Sequence, residues 1–220
     1  GQWERSGGSV QAQELTLEEL KQLYQSRISR DFVPNELRPW GNMRALALRG
    51  AYRAFAYREK GAVLAYGIFA HCPGAALLDY LAVDPALRGR GLGTRFFQAL
   101  QGVARQLGAP FFLIEAESLE SAQTPAEKEV RRRRIQFYTR CGCRETGLFS
   151  FLFGVEYQIL LFPLEGEPGR EQARAALESL YRLLFRVSAG ASKRAPRPVC
   201  RIYEKGRAPG ENKGFYMDLL

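Results

Sequence analysis

The sequence is poor in the residues that build metal centres and covalent catalytic sites. Its one histidine, His71, excludes a histidine-rich metal centre and makes a Ser-His-Asp triad untenable. Among its four cysteines, Cys141 and Cys143 are too close for an ordinary disulfide and lack the C-x-x-C spacing of zinc or thioredoxin sites. We therefore expect no metal, and reduced cysteines with structural roles, as in a cytoplasmic protein.

Long apolar runs are also missing. No stretch approaches the roughly 20 residues that a membrane-spanning helix requires, and residues 1–15 lack the apolar core of a secretory signal. Hydrophobic residues make up 46% and charged residues 25% of the 220 residues, which is ordinary for a globular protein. The composition predicts a folded cytoplasmic protein that does not engage a membrane.

Lysine is scarce relative to arginine. Six lysines stand against 26 arginines, and the formal net charge is +9. Arginine favours planar, bidentate contacts with anions. A basic chain of this kind is compatible with nucleic acid, a phosphate-rich cofactor or an acidic surface as its partner, and charge alone does not choose among them.

The hydrophobic pattern predicts an α/β domain. Thr16 and Glu19 have the spacing of a capping box at the start of a helix. Strands are predicted at 9–15, 51–57, 62–70, 75–83, 111–117, 149–153 and 155–162, and helices at 16–30, 36–49, 92–107 and 126–140. These elements imply a mixed central sheet of about seven strands flanked by helices.

The remaining segments divide the chain further. Residues 1–8 are expected to be a flexible leader or an added, non-native start, and residues 9–164 the main domain. Residues 165–187 predict an amphipathic helix, because leucines recur at helical spacing. Residues 188–220 form a basic tail, in which 199–205 and 215–220 are able to pair as a short hairpin.

A glycine-rich turn gives the clearest indication of chemistry. The apolar strand 75–83 runs into RGRGLGT, residues 88–94, which opens a helix. Backbone N–H groups and the positive helix end make such a turn an anion site, and glycines let a phosphate approach closely. Thr94 replaces the third glycine of G-x-G-x-x-G, and no Gly-Lys-Ser/Thr of a Walker loop occurs.

Two motifs resemble the GCN5-related N-acetyltransferases, the GNAT superfamily. Arg88-x-x-Gly91-x-Gly93, preceded by LAVDP, resembles the family signature Q/R-x-x-G-x-G/A. Residues 131–145, RRRRIQFYTRCGCRE, resemble the family helix that ends in F-Y-x-x-x-G-F. The resemblance covers residues 9–164 and implies the GNAT fold, acetyl-CoA as acyl donor, and direct acetyl transfer to a primary amine in a ternary complex.

For the acyl donor, the resemblance implies that the amides of the turn hold the pyrophosphate and that the preceding strand pairs with the pantetheine arm. The residues assigned to acetyl-CoA on this basis are Leu81, Ala82, Val83, Arg88, Gly89, Arg90, Gly91, Leu92, Gly93, Thr94 and Arg131. Arg131 stands where many relatives carry asparagine, so a contact with CoA phosphates and a solvated basic face remain alternatives. Cys143 replaces the usual phenylalanine.

The resemblance also implies the catalytic residues. Tyr138 matches the tyrosine that often protonates the leaving CoA thiolate, the alternative being an aromatic ring packed at a helix end. The amine must lose a proton, and the candidate bases are Glu115, Asp79 and Glu117, in that order, with Glu117 also assigned to substrate binding. Each acid has the alternative of a structural bond to a loop amide or an arginine.

Strand periodicity predicts how these acids are directed. Side chains alternate between the two faces of a strand, so Asp79 is expected on the same face as Leu81 and Val83. By the same period, Glu115 and Glu117 share one face of the next strand.

Two other functions stay open. Residues 187–213 carry seven cations against two acids, which suits a nucleic-acid- or ribosome-binding module, although a solvated tail is the preferred interpretation and nucleic acid is not the expected partner. The other alternative is an acyl-CoA sensor without turnover. The acceptor is expected to be a small-molecule or peptide amine, and the protein a monomer or homodimer.

Overall fold

A computed structural model describes residues 1–5, 7–189, 199–206 and 215–218 of the chain. The strands are β1 (Gln13–Glu14), β2 (Tyr52–Glu59), β3 (Ala62–Cys72), β4 (Ala75–Val83), β5 (Phe111–Glu117), β6 (Arg144–Leu152), β7 (Val155–Pro163), β8 (Val199–Glu204) and β9 (Phe215–Asp218). The helices are α1 (Leu17–Leu23), α2 (Ser29–Asp31), α3 (Trp40–Leu48), α4 (Leu92–Gln106), α5 (Pro125–Arg140) and α6 (Arg170–Ala189). The predicted mixed α/β fold is confirmed.

All nine described strands belong to one sheet, in the order β1-β2-β3-β4-β5-β7-β6-β8-β9. The pairing is antiparallel except between β4 and β5. The two strands beyond the predicted seven are β8 and β9, which extend the sheet from the outer side of β6. None of the helices in the described ranges has the length and apolar character needed to cross a bilayer.

The sheet separates two apolar cores. Helices α1, α3 and α6 cover one side, called here the α6 face, whose core includes Leu20, Leu46 and Tyr181. Helices α4 and α5 cover the other side, the α4 face, whose core includes Phe97 and Phe112. Residues in β4 and β5 contribute to both cores, since parallel strands in the middle of a sheet are covered on both faces.

The first predicted helix is less regular than its pattern suggests. The capping box forms, because the Glu19 N–H donates to Thr16 Oγ1 at 3.2 Å and the Thr16 N–H donates to Glu19 Oε1 at 3.0 Å. A π-helical turn over Tyr24–Ile28 then separates α1 from α2. Such turns are rare and insert an extra residue into the helix.

The second helix begins at Trp40 rather than near residue 36. Pro39 is its N-cap, with extended backbone angles, and the residue before a proline is disfavoured in a helix. Residues 32–39 are therefore a loop. This loop brings Glu36 and Arg38 to the centre of the sheet.

β4 and β5 are parallel neighbours that pair at a single position. Leu77 lies opposite Leu113, and this is the one pair of residues in the two strands that the backbone hydrogen bonds bridge. Since β4 continues to Val83 and β5 to Glu117, their carboxyl halves diverge. The divergence opens a gap in the middle of the sheet.

The C-terminal segment is integrated into the fold. Helix α6 starts at Arg170, just after Pro168 and Gly169, and packs against β3, β4, β6 and α3. The cations of the basic tail at Lys193, Arg194, Arg197, Arg207 and Lys213 lie outside the described residues.

The N-terminal residues differ from the expected flexible leader. Gln2–Glu4 form a 3-10 turn, and the Trp3 side chain is only 2% exposed. Its indole packs into the α4-face core, which also contains Phe55 and Tyr57. Arg95 of α4 donates a hydrogen bond to the Trp3 carbonyl, so the segment is held against the domain.

Candidate active site

The glycine-rich turn presents an uncapped helix end. Gly89 and Gly91 have φ angles of 77° and 90°, a region that favours glycine. Gly91 is the N-cap of α4 and has no side chain to cap the first-turn N–H groups. Free first-turn N–H groups and the positive end of the helix dipole are favourable to an anion.

Gly93 allows close packing behind the turn. A Cβ atom at this position would lie 3.3 Å from Phe137 Cε2 and 3.6 Å from Val83 Cγ2. The first distance is tighter than most real Cβ contacts, so a larger residue would force α5 to yield. The absence of a side chain at Gly93 therefore allows the short distance between α4 and both α5 and β4.

The two arginines of the turn differ in their ion pairing. Arg88 is exposed and has no ion pair with any other residue that the structure describes. Arg90 forms an ion pair with Glu4, and its guanidinium carbon lies 5.8 Å from the centre of the Trp3 ring. Thr94, in the first turn of α4, shares a hydrogen bond with the Cys141 thiol, and Leu92 is buried.

The end of β4 offers backbone groups to the gap. The Asp84 N–H donates to the Leu64 carbonyl at 2.9 Å. Backbone groups of an antiparallel strand alternate between its two sides. Those of Leu81 and Val83 therefore face away from β3, toward the gap, whereas those of Ala82 face β3.

Tyr138 lies in the last turn of α5, and its side chain is 8% exposed. Its ring centre is 6.1 Å from that of Phe97 and 5.3 Å from that of Phe137. The hydroxyl has no hydrogen-bond partner within the described ranges. Burial raises the pKa of the phenol, with the Arg134 charge opposing the rise, so Tyr138 is a neutral O–H donor at pH 7.

Arg131 has partners that the sequence does not indicate. Its Nε atom lies 2.9 Å from Glu117 Oε2. One of its terminal nitrogens, Nη1, donates to the Ser118 carbonyl at 2.8 Å and to Ser121 Oγ at 2.9 Å. The guanidinium is thus directed to the end of β5 and holds the Glu117 carboxylate.

The expected face of Asp79 is wrong. Ile68 pairs with Tyr80 and Phe69 with Leu78, so Asp79 is an extra residue in β4, a β-bulge. Leu78 lies in the α4-face core and Tyr80 in the α6-face core. The bulge resets the alternation, and Asp79 points to the α6 face, opposite to Leu81.

Asp79 is bound by two donors on that face. Arg38 Nε donates to Asp79 Oδ2 at 2.7 Å, and the Tyr52 hydroxyl donates to the same oxygen. The carboxylate side chain is 7% exposed. These contacts agree with the structural alternative stated for this acid.

Glu115 lies next to Asp79 across the gap, on the same face. Tyr181 of α6 donates to Glu115 Oε2 at 2.6 Å. Burial, together with the Asp79 charge, raises the pKa of Glu115 to about 7, while the Tyr181 hydrogen bond and Arg38 oppose the rise. A carboxyl group that titrates near neutrality is suited to general-base catalysis.

Glu117 shares a hydrogen bond with Glu36 from the loop 32–39. Burial and the adjacent Glu117 raise the pKa of Glu36 to about 8. The hydrogen bond from Glu36, and then Arg131, lower the pKa of Glu117. Glu36 is therefore the protonated member at pH 7, and Glu117 the carboxylate.

Tyr157 faces this group of acids from the neighbouring strand. It lies opposite Glu117 in the ladder of β5 and β7. Burial raises the pKa of its phenol, and the charges of Glu115 and Glu36 add to the rise. Its hydroxyl has no hydrogen-bond partner among the residues described, so it is available to a ligand.

The sequence does not predict the roles of Glu36, Arg38, Tyr157 and Tyr181. Glu36 and Arg38 lie in a loop, where no periodicity fixes a direction. Tyr181 belongs to the apolar stripe of α6, which predicts burial but no partner.

The glycine-rich turn, the divergent strands and the tyrosine at the end of α5 are the features that the resemblance to the GNAT superfamily implies. A model of the acetyltransferase (GNAT) family matches residues 16–143, which is more than half of the chain. The chain belongs to the GNAT family of acetyltransferases, as the two sequence motifs predict.

Solved structures agree with this fold. A protein named as a GNAT-family acetyltransferase from Bacteroides thetaiotaomicron is 18% identical, with a TM-score of 0.59 over 78% of this chain and 96% of that one. A similarly named protein from Desulfovibrio desulfuricans is 17% identical, with a TM-score of 0.52 over 70% and 99%. A protein from Streptococcus mutans is 14% identical, with a TM-score of 0.53 over 70% and 99%. Among curated proteins no significant match is found.

Proposed function

We propose that this protein is an N-acetyltransferase that transfers the acetyl group of acetyl-CoA directly to a primary amine in a ternary complex. The observation that carries the proposal is the position of Glu115. A carboxyl group with a pKa of about 7 faces the α6 side of the gap between β4 and β5. The family membership supplies acetyl-CoA as the donor.

The residues at the gap fit acetyl-CoA. Gly89 and Gly91 shape a turn whose free N–H groups suit the pyrophosphate, and Arg88 is available to a phosphate. The backbone groups of Leu81 and Val83 suit the amides of a pantetheine arm. Acetyl-CoA supplies the thioester that an amine attacks.

Two groups move the protons of the reaction. Glu115 accepts the proton that the ammonium loses, directly or through a water molecule. The amine nitrogen then forms a bond to the acetyl carbon, and the bond between that carbon and the CoA sulfur breaks. Tyr138 donates its phenolic proton to the departing thiolate. The nitrogen loses its second proton to solvent as the amide forms, and the Tyr138 phenolate takes one proton back from solvent. Glu115 then releases the proton it accepted, so one proton is released in each turnover.

The other acids have supporting roles. Glu117, held by Arg131 and hydrogen-bonded to Glu36, is placed to bind the cationic amine. Asp79 holds the loop 32–39 through Arg38. The acceptor is a small molecule or peptide that carries an ammonium group.

The two alternatives have less support. A sensor without turnover would not need a neutral Tyr138 hydroxyl and a carboxyl group that titrates near pH 7. A nucleic-acid-binding role depends on tail cations that mostly lie outside the described residues. We also propose a cytoplasmic location, which the free state of all four cysteines supports.

Calorimetric titration with acetyl-CoA tests the donor site. We expect micromolar binding that is lost when Arg88, Gly91 and Gly93 are all replaced by alanine. A screen of amines for release of free CoA thiol then tests turnover. Absence of binding to the intact protein, or binding without CoA release from any amine, contradicts the proposed function.

A further inference from the structure

Helix α6 lies beyond the part of the chain that matches the family model, yet it reaches the reaction centre. The match ends at residue 143, and α6 covers Arg170–Ala189. Tyr181, in the middle of this helix, is 0% exposed. Its hydroxyl lies 2.6 Å from Glu115 Oε2 and 2.9 Å from Ser150 Oγ.

We propose that α6 completes the active site, and that Tyr181 is a positioning residue that orients the Glu115 carboxylate and keeps its second oxygen free for the amine. The inference rests on the proposed function, in which Glu115 is the general base. It assigns a part in catalysis to the C-terminal extension of this chain.

The direction of the hydrogen bonds follows from the number of protons. Tyr181 has one hydroxyl proton, and a carboxylate oxygen only accepts. Tyr181 therefore donates to Glu115, and the Ser150 hydroxyl donates to the Tyr181 oxygen. The chain of hydrogen bonds runs from β6 through α6 to β5.

Burial and packing hold the members of this chain in place. Ser150 is 0% exposed, and the ring centre of Tyr181 lies 5.4 Å from that of Phe185. Glu115 Oε1 forms no hydrogen bond with another described residue, whereas Oε2 is bound by Tyr181. One oxygen is thus fixed and the other remains for a substrate proton.

Packing alone does not require the hydroxyl. The residues that flank Tyr181 on the buried stripe of α6 are apolar, namely Leu177, Leu180 and Leu184. A phenylalanine would fill the same space without placing a polar atom in the core. The hydroxyl has a partner only because Glu115 and Ser150 face it.

The hydrogen bond also affects the basicity of Glu115. A bond donated to a carboxylate stabilises its charged form, so Tyr181 lowers the pKa that burial raises. The other titratable, charged or hydrogen-bonding groups that face Glu115 are Asp79 on β4, Arg38 and Glu36 on the loop 32–39, Tyr157 on β7, Ser150 on β6 and Cys200 on β8. Of these groups and Tyr181, only Tyr181 forms a hydrogen bond with Glu115 in the structure.

The test is Tyr181→Phe, which removes the hydroxyl and keeps the ring. We expect the acidic limb of the kcat/KM profile for the amine to move to higher pH. At pH 7 we expect kcat/KM to fall by about tenfold, with much of the loss recovered at pH 9. The dissociation constant of acetyl-CoA should not change.

A matched control is Tyr203→Phe, which removes a hydroxyl bound to Glu156 outside the site. It should leave the pH profile where it is. Ser150→Ala shortens the same hydrogen-bond chain from its other end and should shift the profile in the same direction by a smaller amount. This variant keeps the test available if Tyr181→Phe does not fold.

The outcomes separate the two proposals. An active wild-type protein whose pH profile is unchanged in both Tyr181→Phe and Ser150→Ala overturns the inference, even if both variants melt at lower temperature. A wild-type protein that binds no acetyl-CoA or releases no CoA overturns the proposed function itself.

Discussion

Arg38 and Asp79 form an ion pair in the middle of the sheet, with Arg38 Nε 2.7 Å from Asp79 Oδ2. The pair joins the loop 32–39 to the bulge in β4. The same loop is fixed by its backbone, because the Arg38 N–H donates to the Tyr80 hydroxyl at 2.9 Å and Tyr80 donates to the Glu36 carbonyl at 2.7 Å. The bulge thus positions the loop 32–39, and this loop places the Glu36 side chain against Glu117.

Removal of Arg38 should destabilise the protein strongly. Arg38→Ala leaves the Asp79 charge without its cation, and the Asp79 side chain is only 7% exposed. We expect the free energy of unfolding to fall by about 3–5 kcal/mol, measured by urea denaturation at pH 7. Arg53→Ala breaks an exposed pair with Glu14 and should cost at most about 1 kcal/mol. Equal losses in the two variants would show that the Arg38 pair is not effectively buried.

Tyr138→Phe tests the proton donor. We expect kcat to fall by about 10²–10⁴-fold, the usual contribution of a general acid, because the thiolate must leave without a proton from the enzyme. The dissociation constant of acetyl-CoA, measured by calorimetry, should remain within about twofold of wild type, since the aromatic ring is retained. A parallel loss of affinity and turnover would indicate a packing role instead.

Glu4 should compete with the acyl donor for Arg90. The two side chains form an ion pair beside the glycine-rich turn, so Glu4→Gln releases the guanidinium for a phosphate. We expect acetyl-CoA to bind about two- to fivefold more tightly, as befits a partly exposed pair, and the gain to shrink with added salt. Arg88→Ala, which removes a cation from the same turn, is the comparison and should weaken the binding of acetyl-CoA. Unchanged affinity for Glu4→Gln would place Arg90 outside the donor site.

Glu36 should make the stability of the protein depend on pH. Its pKa is raised to about 8, so between about pH 4.5 and pH 8 the folded protein keeps a proton that the unfolded chain has lost. The stabilisation is fully present below this window and is lost as the pH rises through it. Wild type should therefore lose more unfolding free energy between pH 5 and pH 8 than Glu36→Gln does.

Urea denaturation at the two pH values measures this difference. Glu18→Gln, a change at an exposed acid on α1, is the control and should behave like wild type. Glu115, whose pKa is also raised, is retained in all three proteins. The same pH dependence in wild type and Glu36→Gln would rule out a proton shared between Glu36 and Glu117.

The strands that frame the site are predictable because their signals are local. The expected bounds 75–83 and 111–117 are those of β4 and β5. Both are largely apolar runs, interrupted by Asp79 in β4 and by Glu115 and Glu117 in β5, as is typical of strands covered on both faces. The glycine-rich turn is equally local, since its φ angles demand glycine at Gly89 and Gly91.

The direction of the Asp79 side chain, in contrast, is not determined by the local sequence. Alternation is a rule for regular strands, and one extra residue reverses every later position. The bulge arises from the pairing of β4 with β3, and no residue in the β4 sequence indicates it. The same holds for the π-helical turn after α1, which interrupts a good helical pattern.

The contacts of Glu115 require the whole fold. Its partner Tyr181 is 66 residues away in sequence. The hydrophobic periodicity of α6 predicts that this tyrosine is buried, but it does not identify its hydrogen-bond partner. Glu36 and Glu117 are brought together by a loop whose course depends on Pro39 and on the Arg38 ion pair. Sequence periodicity cannot supply such long-range pairs.

The single backbone pairing between β4 and β5 has a consequence for how the protein unfolds. Strands β1–β4 and strands β5–β9 are joined within the sheet only at Leu77 and Leu113, so the hydrogen-bond ladder gives little cooperativity across this line. Helix α6 packs on β3 and β4 from the first half and on β6 from the second. On the opposite face the ring centre of Phe69 in β3 lies 5.4 Å from that of Phe112 in β5. Side-chain packing by α6 and by the α4-face core, rather than the hydrogen-bond ladder, should therefore couple the unfolding of the two halves.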